Sequence, residues 1–159
     1  MEFQLPLIRA KLIRRYKRFL SDVLLPDGRE VTAHCANPGS MMGLLDEDTF
    51  TWIEPNDDPK KKLKFAWRIA ELRTGALVLV DTAKANRIVK EALGKNAISE
   101  FANQDFRPEV KYGEGSRIDF LLTDQSGQQT FVEVKSVTLS RATGCAEFPD
   151  SVTTRGTKH

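Results

Sequence analysis

Asp119, Glu133 and Lys135 stand in the middle of segments that otherwise call for burial, within SRIDFLLTDQSGQQTFVEVKSV at residues 116–137. Apolar runs on either side of a polar TDQSGQQ stretch read as a β-hairpin. With the turn centred on Ser126, Asp119 faces Glu133 and Leu121 faces Phe131. Side chains alternate between faces along a strand, so Glu133 and Lys135 share a face with Asp119. Ile118, Phe120, Leu122, Val132 and Val134 take the other face and make a core. Two facing carboxylates repel one another and lose hydration when covered. One ammonium cannot neutralise both, whereas a hard divalent cation can. Magnesium prefers oxygen ligands and is commonly held by one or two carboxylates together with substrate phosphate. Lys135, one pleat repeat from Glu133, would then stand where an ammonium steadies an attacking hydroxide or a developing negative charge. The alternative is an amphipathic hairpin whose acids face solvent, with Lys135 as their ion partner. On the residues alone both readings stay open.

The elements that must position these groups fall into two regions. Up to Asp81, short apolar alternations are separated by turn signals: PDG at 26–28, NPG at 37–39, EPNDDP at 54–59 and TG at 74–75. Candidate strands lie near 8–25, 30–35, 49–54, 63–72 and 76–80, and strands at this spacing suggest a small closed or partly closed barrel. From Thr82 the period becomes helical in TAKANRIVKEALG, with Thr82 placed to cap the start and Gly94 the stop. A short helix near 97–103 and extended segments near 108–112, 117–123 and 130–139 complete an α+β layout distinct from the all-β first region. The division is expected at residues 1–81 and 82–159.

Composition narrows the classes. The 159 residues are 40% hydrophobic and 29% charged, as in a globular protein, with a net charge of only +2. No apolar run approaches the roughly 20 residues that cross a bilayer, so no membrane partner is expected and a cytoplasmic location is the default. Cys35 and Cys145 are too few for a disulfide framework and read as buried or incidental thiols. His34 reads as structural. Charge distribution is more informative than its sum. KLIRRYKR at 11–18 holds Lys11, Arg14, Arg15, Lys17 and Arg18 around Tyr16. Strand alternation puts Arg14, Tyr16 and Arg18 on one side and Arg15, Lys17 and Phe19 on the other. Cations that track a phosphate backbone beside rings on which bases stack suit a nucleic-acid-binding barrel. An edge strand guarded by basic residues is the plainer reading.

EVKYGEGSRIDF at 109–120, VEVKSVTL at 132–139, FPDSVTTRGTKH at 148–159 and LIRRYKRFLSDV at 12–23 resemble the sugar fermentation stimulation protein A family along the whole chain. The resemblance implies an OB-like barrel at 1–81 followed by a nuclease-like α/β domain of the PD-(D/E)xK type at 82–159, lacking its last elements. Asp119 would match the first acid of that motif, Glu133 the second and Lys135 the lysine, with the Val134 carbonyl as a further ligand to Mg2+ or Mn2+. Arg155, Lys158 and His159 match the family's final motif and would face the same pocket. Glu91 on the first helix could add an acid, with a solvated helix face the plainer reading. Arg117 could meet a phosphate or balance the local acids, and Glu109 and Lys111 share a strand face that could line the same cleft or pair at the surface. The implied function is DNA binding, through Lys11, Arg14, Arg15, Tyr16, Lys17 and Arg18, joined to metal-dependent phosphodiester hydrolysis. A non-catalytic DNA-binding regulator that keeps only the nuclease fold is the alternative, and a homodimer is a further option. A carbohydrate-handling enzyme finds no support in the residues.

Overall fold

The computed structural model describes residues 2–47, 49–142 and 144–147. Contacts divide the chain into two compact units, one built on Phe3–Thr82 and one on Ala83–Lys135. The described residues from Ser136 onward, which sequence reasoning assigns to the second region, group with the first unit. There the backbones of Leu139 and Glu147 form a small bridge, closed by hydrogen bonds from Arg141 to the Glu147 carboxylate.

The first unit is the expected barrel, of the OB type. Its strands are β1 (Ile8–Tyr16), β2 (Leu20–Leu24), β3 (Glu30–Cys35), β4 (Phe50–Pro55), β5 (Phe65–Glu71) and β6 (Leu77–Leu79). The order β3-β2-β1-β4-β5-β6 closes through a parallel pairing of β3 with β5, so β1 to β5 form the barrel and β6 extends from β5. One long strand near 8–25 was expected. It is instead a hairpin, β1 and β2, turned by Lys17 and Arg18 at φ 46° and 66°. No glycine or asparagine marks that turn, so it carried no sequence signal. A bulge between Leu12 and Arg14 then shifts the register, leaving Leu12 buried and Arg14 in solvent although both are even-numbered.

Ala10, Leu12, Val23, Ala33, Cys35, Ile53, Trp67 and Ala70 fill the barrel, while Met41 and Leu44 enter its core from the loop after β3. Burial pushes the Cys35 thiol up, against the opposing influence of Arg15, and its sulfur lies 3.4 Å from that of Met41. An ionic group sits among these apolar residues. Glu54 and Asp81 are each 3% exposed, and Arg68 donates from Nε to Glu54 at 2.7 Å and from Nη1 to Asp81. The second oxygen of Glu54 accepts the backbone N–H of Gln4 at 2.7 Å. Burial alone would raise the Glu54 carboxyl, but the Arg68 hydrogen bond and the Gln4 N–H outweigh it and hold the group below its ordinary value.

The second unit contains α1 (Ala85–Gly94) and the antiparallel sheet β7 (Asp105–Tyr112), β8 (Ser116–Thr123) and β9 (Gln129–Val132), in that order. Phe120, Leu122 and Leu93 are its buried centre, with Val89, Ile98, Phe101, Phe106, Val132 and Val134 around them. Two capping expectations are corrected. Thr82 does not cap α1; its hydroxyl donates to the Ala36 carbonyl. The stop is set by Asn96 rather than Gly94. Asn96 takes φ 51°, and the N–H groups of Asn96 and Ala97 return to the carbonyls of Leu93 and Ala92. The expected helix near 97–103 is a single 3-10 turn at Ser99–Phe101.

Removing Arg68 would take the shared guanidinium away from two buried carboxylates. Arg68→Met should cost about 3–5 kcal/mol of unfolding free energy in a denaturant titration. Because the Glu54 carboxyl is lowered on folding, its contribution is complete above the usual value of 4.5 and is lost as pH falls through the lowered value. Glu54→Gln should therefore flatten the acid limb of the stability–pH curve, as read by thermal melts across that range.

Candidate functional site

The candidate site is built on the β8–β9 hairpin. Its pairing runs Phe120 to Val132, Leu121 to Phe131, Leu122 to Thr130 and Thr123 to Gln129, the register expected from a turn centred on Ser126. The turn fixes that register locally. One oxygen of Asp124 accepts Ser126 N–H at 2.8 Å, Ser126 hydroxyl at 2.7 Å and Gln128 N–H at 2.9 Å, while Gly127 supplies φ 84°.

One step beyond the last pair, the ladder gives way. β9 was expected to run on to residue 139 but ends at Val132, because the Val134 N–H donates to the side chain of Asp119 at 2.8 Å. The other carboxylate oxygen accepts Asn86 Nδ2 at 2.7 Å, which ties the N-terminal turn of α1 to the hairpin. Asp119 is thus half-buried and held from two directions. Exposure keeps alternating through the segment that follows, with Glu133 and Lys135 in solvent and Val132 and Val134 half-buried. Lys135 Nζ lies 3.4 Å from Glu133 Oε1, with side-chain exposures of 53% and 45%.

The structure therefore brings Glu133 and Lys135 together, and clamps Asp119 onto the residue between them. The donor set of two carboxylates and backbone carbonyls suits a hard cation that retains waters, such as Mg2+ or Mn2+. Among the described residues no three His, Cys, Asp or Glu side chains gather as a ready cage. Asn86 was missed by sequence reasoning, since an amide in a first helical turn carries no signal of a distant carboxylate partner.

Glu91 accepts Lys95 Nζ at 2.6 Å, a hydrogen bond that leads in lowering its carboxyl to about 2. It borders an open groove of about 500 Å³ with Arg87, Lys90, Gly94 and Phe106. Arg117 is exposed and reaches the Glu109 carbonyl at 3.4 Å. Glu109 itself takes φ 53° and interrupts the β7–β8 ladder where it would face Asp119. Lys111 is exposed opposite Arg117. Arg155, Lys158 and His159 lie outside the described residues.

On the barrel, Lys11, Arg14, Lys17 and Arg18 are exposed. Arg14 and Tyr16 do share a side: both donate to Asp22, at 2.8 and 3.1 Å, and the Arg14 guanidinium lies 4.8 Å from the Tyr16 ring centre. Burial works to raise the Asp22 carboxyl, yet hydrogen bonds from Thr32, Arg14 and Tyr16 leave it below its ordinary value. Arg15 turns inward, donating to the carbonyls of Arg18 at 2.6 Å and Asn37 at 2.8 Å.

Two family descriptions match these units: "SfsA N-terminal OB domain" over residues 13–80 and "Sugar fermentation stimulation protein RE domain" over residues 83–159. The chain belongs to the sugar fermentation stimulation protein family. Similar family members include the sugar fermentation stimulation protein homolog of Ruegeria sp. (strain TM1040), 62% identical over all of this chain and 69% of that protein. The homolog of Thioalkalivibrio sulfidiphilus is 50% identical over all of this chain and 67% of its own length. A solved structure of Pyrococcus furiosus SfsA in complex with Ca2+ is 26% identical, with a TM-score of 0.78 over all of this chain and 66% of that one. The chain thus spans about two thirds of the length of these family members. No described helix is long and apolar enough to cross a membrane.

Asp119→Asn would set an amide N–H against one of the two donors that the carboxylate now accepts. It should lower unfolding free energy by about 1–3 kcal/mol in a urea titration, and Asn86→Ala by less. An unchanged midpoint in Asp119→Asn would show that the carboxylate is not clamped.

Proposed function

We propose that this chain binds DNA through its barrel and carries, on the β8–β9 hairpin, a divalent-metal site suited to phosphodiester hydrolysis. The observation that carries this reading is the Asp119 clamp on Val134, which fixes the extended segment so that Glu133 and Lys135 project side by side. In it, Asp119, Glu133 and the Val134 carbonyl hold Mg2+ or Mn2+. When bound, that ion supplies Lewis-acid stabilisation of charge on phosphoryl oxygens. The solved structure of the relative in complex with Ca2+, another hard oxygen-seeking cation, supports the choice of metal class.

The protein's own groups divide the remaining work. Asn86 and the Val134 N–H orient the Asp119 carboxylate. Glu133 sets the Lys135 ammonium at 3.4 Å, where it can donate to an attacking water or to a phosphate oxygen. Exposed Lys11, Arg14, Lys17 and Arg18 neutralise backbone phosphates on the barrel. Arg15 and Tyr16 act from behind them, through the carbonyls and the carboxylate they hold in place.

A second reading is favoured by one observation, the direct pairing of Glu133 with Lys135 in solvent, which an amphipathic surface would also show. On that reading the chain is a DNA-binding regulator without turnover. Cleavage of a labelled oligonucleotide with Mg2+ or Mn2+ separates the two. Glu133→Gln and Lys135→Ala should each cut the metal-dependent rate by about a hundredfold or more while DNA binding persists. Cleavage that survives in both would overturn the site assignment. DNA left intact, and bound equally with and without metal, would establish the regulator.

A further inference from the structure

We infer that Phe19 and His34 form a base-stacking platform on the barrel, and that its ligand is a single-stranded polynucleotide whose phosphates meet Lys17 and Arg18. The inference rests on the DNA-binding reading and adds the strandedness that reading leaves open.

Phe19 closes the β1–β2 turn and His34 lies near the end of β3, with both side chains in solvent. Their rings are nearly parallel, at an interplanar angle of 20° and a centroid separation of 6.3 Å. The backbone beneath them is fixed. The Phe19 carbonyl accepts the Cys35 N–H at 2.9 Å, and His34 pairs across the strand with Leu20. Phe19 is 43% exposed, although Cys35, one residue beyond its ring partner, is fully buried. The strand alternation that buries Cys35 turns His34 outward beside Phe19. Two rigid rings that need no rearrangement to receive a flat ligand are pre-organised for stacking.

The neighbouring charges identify the ligand class. Lys17 and Arg18 lie immediately before Phe19, both exposed and both in left-handed backbone. Neither side chain makes a hydrogen bond or ion pair among the described residues, whereas Arg14 pairs with Asp22 and Arg9 with Glu71. Arg15 holds the turn from inside through the Arg18 carbonyl. An aromatic face alone would accept a sugar as readily as a base, but two adjacent cations without acidic partners call for an anion repeated along a chain. A duplex offers phosphates yet keeps its base faces stacked inside. A single strand offers both, and each base stacked on an aromatic side chain contributes substantially to binding.

The test uses the whole chain with a labelled single-stranded oligonucleotide, the duplex of the same sequence, and a single strand in which abasic sites replace bases, all at one salt concentration. The wild-type chain should prefer the single strand to the duplex and to the abasic strand. Phe19→Leu and His34→Ala should each weaken single-strand binding by about tenfold, with duplex binding unchanged and Phe19→Trp close to wild type. Matching thermal midpoints would show that these exposed positions leave the fold intact. A fluorescent adenine analogue within the strand should lose emission on binding wild type and keep it with Phe19→Leu. Equal binding of base-bearing and abasic strands, or unchanged affinity in Phe19→Leu and His34→Ala, would overturn the platform and leave DNA binding standing. Failure of the wild-type chain to bind any of the three ligands would overturn the DNA-binding reading itself.

Discussion

The register of β8 against β9 is the constraint on which the candidate metal site depends. Side chains alternate with a period of two, so slipping the Gln129–Lys135 segment by one residue against β8 would carry Glu133 and Lys135 into the apolar layer and expel Val132 and Val134. Two influences oppose such a slip from opposite ends. At the turn, one oxygen of Asp124 gathers three donors from Ser126 and Gln128. Along the strands, burial of Phe120 and Leu122 against Leu93 favours a single phase. A short-range polar turn and a long-range apolar face therefore demand the same pairing.

Within that register Asp119 replaces a rung of the ladder. An antiparallel pair would normally satisfy the Val134 N–H with a carbonyl from the neighbouring strand. Here a carboxylate takes it, so β9 ends at Val132 while the chain stays extended to Lys135. The exchange frees the backbone of the Glu133–Lys135 segment from sheet pairing without leaving a buried donor unmet. It also links the segment to α1 through Asn86, giving one side chain control over three parts of the unit.

Much of this was legible in the sequence because it follows from local periodicity and turn chemistry. The hairpin register, the core face of β8 and the change from barrel to helix near residue 82 all came from patterns within about ten residues. What stayed hidden depended on distant partners or on backbone shapes that residue type does not announce. Lys17 and Arg18 turn the chain without glycine, so one strand was expected where there are two. The bulge at Leu12 and Arg14 reverses the side on which alternation places later residues. Arg15 belongs to a run of cations that looks uniform, yet the fold sets it on two backbone carbonyls. Glu54, Arg68 and Asp81 join across 14 and 13 residues, and nothing local distinguishes them from surface charges.

Half-buried and exposed charges are likewise distinct within the candidate site. Asp119 has a structural role whatever else it does, since both of its oxygens already accept hydrogen bonds. A carboxylate oxygen has lone pairs beyond the one that a single donor uses, so these bonds leave room for a cation while fixing where it could sit. Glu133 and Lys135 are different, because their side chains are about half exposed and lie against each other at 3.4 Å. A change at Asp119 therefore disturbs the clamp on Val134 and α1, whereas changes at the more exposed Glu133 and Lys135 leave that clamp in place. The interruption of regular pairing at Val134 sets Asp119 against the residue between Glu133 and Lys135, an arrangement that an amphipathic hairpin does not require.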